Sequence, residues 1–308
     1  MGLAEMSRRV LVSGASGLIG RGVVAALRAR GAEVVALSRR ASAAGEAERS
    51  AIQWDAMSGA LDPAAVSGFD AVVHLAGEPV GAGRWTPERK RRIRESRVRG
   101  TQVLAEALAR AEAPPRVFIG ASGINFYGDR GETVLAEDAP RGAGFLAEAS
   151  EQWERATAPL DGVARVAHLR IGPVLAQNGG MLATMLPVFR LGLGGPMGGG
   201  QAWVSWVTLR DVVGVVEHVL GSEAMAGAVN VVSPGVVRNA DFVRALGEAL
   251  HRPAVIPVPA WALRLLFGQM GEETVLSSVR GVPERLLADG FLFRDTEIRA
   301  ALAWCLRT

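Results

Sequence analysis

The 308-residue sequence is poor in cysteine, lysine and tyrosine, with one residue of each: Cys305, Lys90 and Tyr127. A single cysteine excludes an internal disulfide and is typical of proteins from a reducing compartment. No apolar run is long enough to span a bilayer, and residues 1–9 lack the apolar segment of a secretion signal. The sequence therefore predicts a cytoplasmic protein that does not cross a membrane.

Histidine is also rare, and positive charge is concentrated in one place. The four histidines are scattered without the spacing of a metal site, so we expect no bound metal. His74 lies inside an apolar stretch and is predicted to be a packed core residue. The basic run 84–99 could form a nucleic-acid patch. Thr86 as N-cap and Pro87 as first helical residue instead favour the solvated face of a long helix, so no nucleic-acid partner is expected.

The stretch from Val10 to Gly20 organises the rest of the chain. An apolar run ends at Ser13 and predicts a buried strand, and the helical spacing of apolar residues begins after Gly20. A lone glycine triplet would fit a plain turn equally well, but strand, triplet and helix in this order favour a dinucleotide site. The backbone N–H groups at the start of the helix would face the phosphates. The predicted phosphate-binding residues are Gly14, Ser16, Gly17, Leu18, Ile19 and Gly20.

Strands and helices alternate from residue 9 to about 175, which predicts an α/β fold: a Rossmann-type, doubly wound parallel sheet. Ligands bind at the carboxyl ends of the strands in such sheets. Residues predicted to contact the cofactor at these ends are Ser38, Arg39, Arg40, Asp55, Leu75, Ala76, Gly77, Ala121 and Gly172. Two arginines and no carboxylate follow the second strand, which favours NADP(H) over NAD. The alternative is that Arg39 and Arg40 are simply solvated.

The regular alternation of strands and helices ends at about residue 175. We expect residues 1–175 to form the NADP-binding Rossmann domain, rejoined by about 203–222, and residues 176–308 to form a smaller substrate lobe. The glycine-rich segment 192–200 is predicted to be either a mobile flap or a simple linker.

With these motifs placed, the chain resembles an extended-type short-chain dehydrogenase/reductase. It is most similar to the atypical group called "epimerase family protein", which has a C-terminal domain of unknown function. The resemblance is carried by His74–Pro79, Arg84–Thr86, Glu95–Val98, Trp153–Glu154, Gly179–Gly180, Gly194–Gly195, Gln201, Trp203–Trp206 and Pro257–Gly268. It implies NADP(H) binding and a substrate that is generally unassigned. One branch of the group is linked to cell or plastid division.

The chain departs from the superfamily in its catalytic pair, a tyrosine followed four residues later by a lysine that lowers the tyrosine pKa. Leu146 and Ser150 stand at the matching positions, and residue 131, four after Tyr127, is Gly131. A second departure is the segment 206–211, where relatives tend to carry a histidine and a second aspartate.

The resemblance implies that Ser122 orients a substrate hydroxyl or carbonyl and leaves Tyr127 as the available proton donor. Trp85, Gln201 and Trp206 would form the rim of the substrate pocket. Two functions follow as hypotheses. One is an NADP(H)-dependent oxidoreductase or epimerase-like enzyme acting on a small polar substrate. The other is a non-catalytic NADP(H)-binding regulator that acts through a protein partner. The expected macromolecular partner is either such a protein or a second copy of this chain.

Overall fold

The computed structural model describes residues 9–38, 51–55, 59–81 and 83–307. Arg39 and Arg40 lie outside the described residues. The strands are β1 (Arg9–Ser13), β2 (Glu33–Ser38), β3 (Ala51–Gln53), β4 (Ala71–His74), β5 (Val117–Gly123), β6 (Val134–Leu135), β7 (Arg165–Ile171), β8 (Val174–Ala176), β9 (Trp203–Val204), β10 (Val207–Thr208), β11 (Gly227–Val231), β12 (Val237–Arg238) and β13 (Arg280–Gly281).

The helices alternate with these strands and then dominate the C-terminal part. They are α1 (Leu18–Ala29), α2 (Pro87–Ala109), α3 (Phe145–Arg155), α4 (Gly180–Arg190), α5 (Leu209–Gly221), α6 (Asn239–Leu250), α7 (Ala260–Phe267), α8 (Gln269–Thr274), α9 (Glu284–Ala288) and α10 (Ile298–Arg307). Short 3₁₀ helices include Ile124–Tyr127, which directly follows β5. The predicted start of α2 is confirmed, because the Thr86 side chain accepts a hydrogen bond from the Arg89 N–H.

Seven strands form the main sheet in the order β3-β2-β1-β4-β5-β7-β11. Every neighbouring pair is parallel. This arrangement confirms the predicted Rossmann-type sheet. The sequence-based division did not include β11, which pairs with β7 at the sheet edge although it follows the first part of the C-terminal segment.

Both faces of the sheet are buried, which explains why its strands are continuous apolar runs rather than alternating ones. On one face, Val10 and Val12 pack with residues of α1 and α5. On the other face, Leu11 and Phe118 pack with Leu104 of α2. Side chains alternate along a strand, so polar side chains at or one residue before the strand ends lie on the same face as Leu11 and Phe118. They are Ser13 of β1, His74 of β4, Ser122 of β5 and Arg170 of β7.

The C-terminal part has its own core, formed by α4, α6 and α10. Trp206 belongs to this core: it is fully buried, and its Nε1 donates to the Gly235 carbonyl at 2.8 Å. The packing thus gives no support to the prediction that Trp206 lines the substrate pocket. An indole buries a large apolar area and needs a partner only for its N–H, and both needs are met inside this core.

The glycine-rich segment 192–200 is held by the chain around residue 256. The Ile256 N–H donates to the Gly194 carbonyl at 3.1 Å, and the Gly198 N–H donates to the Val258 carbonyl at 2.9 Å. A Cβ at Gly195 would lie 1.8 Å from the Ile256 carbonyl oxygen. The glycines thus permit close backbone pairing, which favours an anchored connection over a mobile flap.

Candidate cofactor and substrate site

The loop between β1 and α1 leaves no room for a side chain at Gly14 or at Gly20. Gly14 has φ +69°, and a Cβ on it would lie 2.8 Å from the Leu75 carbonyl carbon. A Cβ on Gly20 would lie 2.1 Å from the Gly14 carbonyl oxygen. The same Gly14 oxygen accepts a hydrogen bond from the Gly17 N–H at 2.9 Å. Glycine at 14 and 20 is therefore a steric requirement of the turn that brings α1 against the sheet.

The start of α1 is open to an anion. Its N-cap residue, Gly17, makes no side-chain capping hydrogen bond, and the first turn contains no acidic residue. Ser16 and Gly17 are exposed, and Leu18 and Ile19 are partly exposed. The positive end of the helix dipole and its unpaired N–H groups thus face outwards at the carboxyl edge of the sheet.

The end of β4 forms the neighbouring wall of this loop. The Leu75 N–H donates to the Ser13 carbonyl at 3.2 Å, and the Ala76 N–H donates to the Ser13 Oγ at 3.3 Å. His74 Nδ1 lies 2.6 Å from the same Oγ, and His74 Nε2 lies 2.9 Å from Thr101 Oγ1. Burial lowers the pKa of His74 to about 4. His74 is thus a packed, neutral core residue, as predicted, and it holds the Ser13 hydroxyl that accepts the Ala76 N–H.

The other predicted cofactor residues lie at the same edge. Gly77 lies shortly after β4, Ala121 lies two residues before the end of β5, and Ser38 is the last residue of β2. Asp55 is partly exposed just beyond β3. Gly172 follows β7, and a Cβ on it would lie 1.9 Å from the Ser205 carbonyl oxygen. The predicted positions of Arg39 and Arg40 fall outside the described residues.

Ser122 is linked to a buried ion pair that the sequence analysis did not single out. The Ser122 hydroxyl donates to Glu154 Oε1 at 2.7 Å. Arg170 holds both oxygens of that carboxylate, with Nε to Oε1 and Nη2 to Oε2 each at 2.9 Å. The guanidinium carbon also lies 3.5 Å from the centre of the Phe126 ring. Such bidentate pairs fix geometry as well as charge.

Two signals in the sequence could have pointed to this ion pair. Arg170 is a lone charge near the end of an apolar strand, and Glu154 lies in one of the stretches that carry the family resemblance. Neither signal shows that the two side chains meet, because they belong to different elements that pack only in the folded sheet.

Tyr127 lies in the core rather than at the surface. Its side chain is fully buried, and its hydroxyl donates to Asn230 Oδ1 at 2.8 Å while accepting from Arg170 Nη1 at 2.8 Å. The amide orientation of Asn230 is fixed because its Nδ2 donates to the Leu135 and Val282 carbonyls. Burial is the main reason that the pKa of Tyr127 is raised. This geometry gives no support to the predicted role of Tyr127 as proton donor, because its hydroxyl proton is bound to Asn230 within the core.

Helix α3 carries the positions at which the superfamily has its tyrosine and lysine. Leu146 and Ser150 are both buried here. Glu273, from α8 in the C-terminal part of the chain, caps this helix. Its two carboxylate oxygens accept from the Phe145 and Leu146 N–H groups at 3.0 and 2.8 Å. The C-terminal segment thus holds the start of α3 in place.

The other two predicted pocket residues lie at the surface or near it. Trp85 packs edge-on against Phe145, with ring centres 5.1 Å apart, and its Nε1 donates to the Val80 carbonyl at 3.0 Å. Gln201 is exposed, and its carbonyl accepts from Arg238 at 2.5 Å. Trp85 therefore lies beside the first residue of α3, whereas Gln201 is linked to β12.

The segment 206–211, where the chain departs from the superfamily a second time, is tied to Asp295. Thr208 Oγ1 donates to Asp295 Oδ2 at 2.7 Å, and Arg210 Nε donates to the same oxygen at 2.6 Å. These two side chains connect the start of α5 to the segment before α10. Among the described residues, no group of His, Cys, Asp or Glu forms a potential metal site, and none of the helices is long and apolar enough to cross a membrane.

Comparison with known proteins identifies the family. The model of the NAD dependent epimerase/dehydratase family matches residues 10–232. The chain belongs to this family. A domain of unknown function, DUF1731, matches residues 258–305, in agreement with the resemblance inferred from the sequence motifs.

Relatives extend the match over nearly the whole chain. An epimerase family protein of Mycobacterium bovis is 38% identical over 296 residues, covering 96% of both chains. The crystal structure of the human epimerase family protein SDR39U1 with NADPH is 34% identical, with a TM-score of 0.88 and coverage of 97% of this chain and 99% of that one. A nucleoside-diphosphate sugar epimerase from Corynebacterium glutamicum matches at 34% identity and a TM-score of 0.78, over 96% of this chain and 57% of that one.

Proposed function

We propose that this chain is an NADP(H)-dependent oxidoreductase or epimerase-like enzyme that acts on a small polar substrate. The observation that carries the proposal is the steric cradle at Gly14 and Gly20, next to a helix N-terminus with neither a capping side chain nor an acidic residue. These features fit a pyrophosphate, which needs close backbone approach and N–H donors. The NADPH in the human relative supports the choice of cofactor.

Each part of the chain would have a defined task. The backbone N–H groups of residues 14–20 bind the pyrophosphate. Arg39 binds the 2′-phosphate, and Arg40 stacks on the adenine or adds positive charge. Ala121, Gly172 and residues 75–77 shape the walls along which the dinucleotide lies. The bound nicotinamide supplies or accepts a hydride. Ser122 contacts the polar group of the substrate at the end of β5.

The division of labour follows the sequence-based boundaries. We assign cofactor binding to residues 1–175 with the returning segment 203–222, and closure over the substrate to residues 176–308. The buried cysteine, Cys305, is compatible with the reducing conditions of the cytoplasm.

Cofactor titration tests this function directly. A charge-assisted hydrogen bond is worth about 1.5–3 kcal/mol, so Arg39→Ala should weaken NADPH binding roughly 10- to 100-fold. NADH affinity should stay nearly unchanged, because NADH has no 2′-phosphate. Equal loss for both cofactors would contradict the assignment of Arg39, and absence of NADPH binding by the unmodified protein would reject the function.

A non-catalytic regulator is the second candidate, and one observation favours it. Neither the superfamily's tyrosine nor its lysine is present on α3, and the hydroxyl of Tyr127 is committed to Asn230. Single-turnover oxidation of bound NADPH across a carbonyl panel, and reduction of NADP⁺ across an alcohol panel, separate the two candidates. Turnover of any compound supports the enzyme, whereas tight NADPH binding without turnover supports the regulator.

A further inference from the structure

We propose that Ser122 meets the substrate as a hydrogen-bond acceptor, so that the group it binds is a donor: the hydroxyl of an alcohol, not a carbonyl oxygen. Ser122 is 5% exposed near the carboxyl end of β5, and the proposed substrate space beside it is called the cleft below. This inference rests on the proposed function, because it concerns the substrate bound beside the nicotinamide. It makes Ser122 and Glu154 residues that determine specificity, and it assigns the alcohol as the form of substrate that the resting site recognises.

The argument begins with the direction of one hydrogen bond. Ser122 Oγ lies 2.7 Å from Glu154 Oε1. An ionised carboxylate has only acceptor sites, so the serine must donate. A serine hydroxyl has a single proton and two lone pairs. Once the proton is committed to Glu154, only lone pairs remain for a ligand.

The next step is that Glu154 remains ionised. Arg170 donates one N–H to each carboxylate oxygen, at 2.9 Å in both cases. The side chains of Arg170 and Glu154 are only 6% and 12% exposed, so water competes little with this pair. The guanidinium stays charged at all accessible pH values, so a protonated Glu154 would replace this ion pair with a buried positive charge facing a neutral acid. The carboxylate therefore stays the acceptor of the Ser122 hydrogen bond.

The neighbouring donors do not restore a proton to Ser122. The remaining bonds of Arg170 Nη1 go to the Tyr127 hydroxyl at 2.8 Å and to the Glu137 carbonyl at 3.1 Å. The Tyr127 proton goes on to Asn230 Oδ1 at 2.8 Å, and that amide is oriented by its own two N–H donations. Ser122 donates to Glu154, Arg170 donates both to Glu154 and to Tyr127, and Tyr127 donates to Asn230, so no donor in this chain of hydrogen bonds is directed at Ser122. A carbonyl oxygen approaching Ser122 would meet lone pairs, whereas a hydroxyl group could donate to them.

The position of the Ser122 proton can be measured without knowing the natural substrate. Neutron diffraction from deuterium-exchanged crystals of the NADP⁺ complex should show a deuteron between Ser122 Oγ and Glu154 Oε1, and none on the Glu154 carboxyl. A deuteron on Glu154, or a Ser122 deuteron directed into the cleft, would overturn the proposal.

Ligand binding gives a second test, with cyclohexanol and cyclohexanone as a pair matched in size. In the NADP⁺ complex of the unmodified protein, the alcohol should bind about tenfold more tightly than the ketone. Glu154→Gln should reduce or reverse this preference, because a glutamine amide can donate to Ser122 and free its proton. Ser122→Ala is the matched control: it keeps the Glu154–Arg170 pair and should abolish the preference.

The outcomes separate this inference from the proposed function. If NADP⁺ does not bind to the unmodified protein, the proposed function fails and the inference fails with it. If NADP⁺ binds but the alcohol and the ketone bind equally or not at all, or if the ketone binds more tightly, only the inference is overturned. If Glu154→Gln does not fold, the comparison of the unmodified protein with Ser122→Ala and the neutron structure still decide the question.

Discussion

The hydroxyl of Tyr127 stabilises the core, and its removal should be felt in stability rather than in cofactor affinity. Tyr127→Phe leaves Arg170 Nη1 and Asn230 Oδ1 each without one buried partner. An unsatisfied buried polar group costs about 1–3 kcal/mol, so the free energy of unfolding from urea titration should fall by roughly that amount. NADPH affinity should be unchanged, because the proposed phosphate contacts lie at residues 14–20 and 39–40. A variant of unchanged stability with much weaker turnover would instead return Tyr127 to the proton-donor role.

His74 makes stability depend on pH. Its pKa is lowered by burial from 6.5 to about 4, so the unfolded chain takes up a proton in this window and the folded chain does not. The contribution of His74 to the free energy of unfolding is therefore fully present above about pH 6.5 and decreases as the pH falls towards 4. At about 1.4 kcal/mol per pKa unit, the loss between pH 7 and pH 5 should be about 2 kcal/mol.

Urea titrations at several pH values measure this effect. His74→Gln should reduce the pH dependence between pH 7 and pH 5, while His251→Asn, at an exposed left-handed position, should leave it unchanged. Equal slopes in the His74 variant and the unmodified protein would contradict the assignment. The pKa of the partly buried His168 is also lowered by desolvation. Because His168 is present in all three proteins, its contribution cancels when their pH dependences are compared.

Sequence reasoning at this scale succeeded where a residue's role depends on its neighbours along the chain. The glycine triplet lies within one turn, and His74 lies inside an apolar strand. It did not foresee the packing of Tyr127 and Trp206, whose partners Asn230 and Gly235 come from distant parts of the chain. Burial of an aromatic ring is decided by what packs over it, and a local pattern does not contain that information.

At the scale of elements, the junction of β1 and α1 should tolerate no added methyl group at Gly20. The new Cβ of Gly20→Ala would lie 2.1 Å from the Gly14 carbonyl oxygen, so α1 must move away from the sheet. We expect NADPH affinity to fall at least tenfold, measured by fluorescence titration. Gly81→Ala is the control, because a Cβ there meets no atom within 4 Å. Equal NADPH affinity in the two variants would contradict the proposal that the glycine loop between β1 and α1 binds the pyrophosphate.

Helix α3 depends on a cap from the C-terminal part of the chain. Glu273→Ala removes the acceptor of the Phe145 and Leu146 N–H groups. Loss of a cap and of its charge at a helix N-terminus costs about 1–2 kcal/mol. Glu272→Ala, which breaks an exposed pair with Arg264, should cost under about 0.5 kcal/mol. Thermal or urea unfolding distinguishes the two, and similar small losses in both would show that the cap contributes little.

The elements themselves were largely predictable, because buried parallel strands are apolar runs and helices repeat their apolar residues every three to four positions. The segment 192–200 was not. Its glycines are compatible with a flap, a linker or close pairing, and only the approach of residues 256–258 selects the last of these.

At the scale of the whole molecule, this pairing predicts low mobility of the C-terminal part. In hydrogen exchange on the ligand-free protein, the amides of Gly198, Ile256 and Val258 should exchange slowly, because all three are hydrogen-bonded to backbone carbonyls. The amide of Gly199, for which no such bond is formed within the described part of the segment, serves as the fast-exchanging reference. Fast exchange at all four that slows only when NADPH binds would restore the flap hypothesis.

The place of β11 in the sheet has a consequence for biosynthesis. Its five residues, Gly227–Val231, pair with β7, yet more than fifty residues of intervening chain separate the two strands. A ribosome therefore releases six strands of the sheet well before the seventh, and during that interval β7 is an apolar edge with unpaired N–H and C=O groups. Such an edge can pair with another nascent chain. Fast synthesis of residues 172–231 would shorten this exposure, and slow codons within that interval should increase aggregation of the newly made protein.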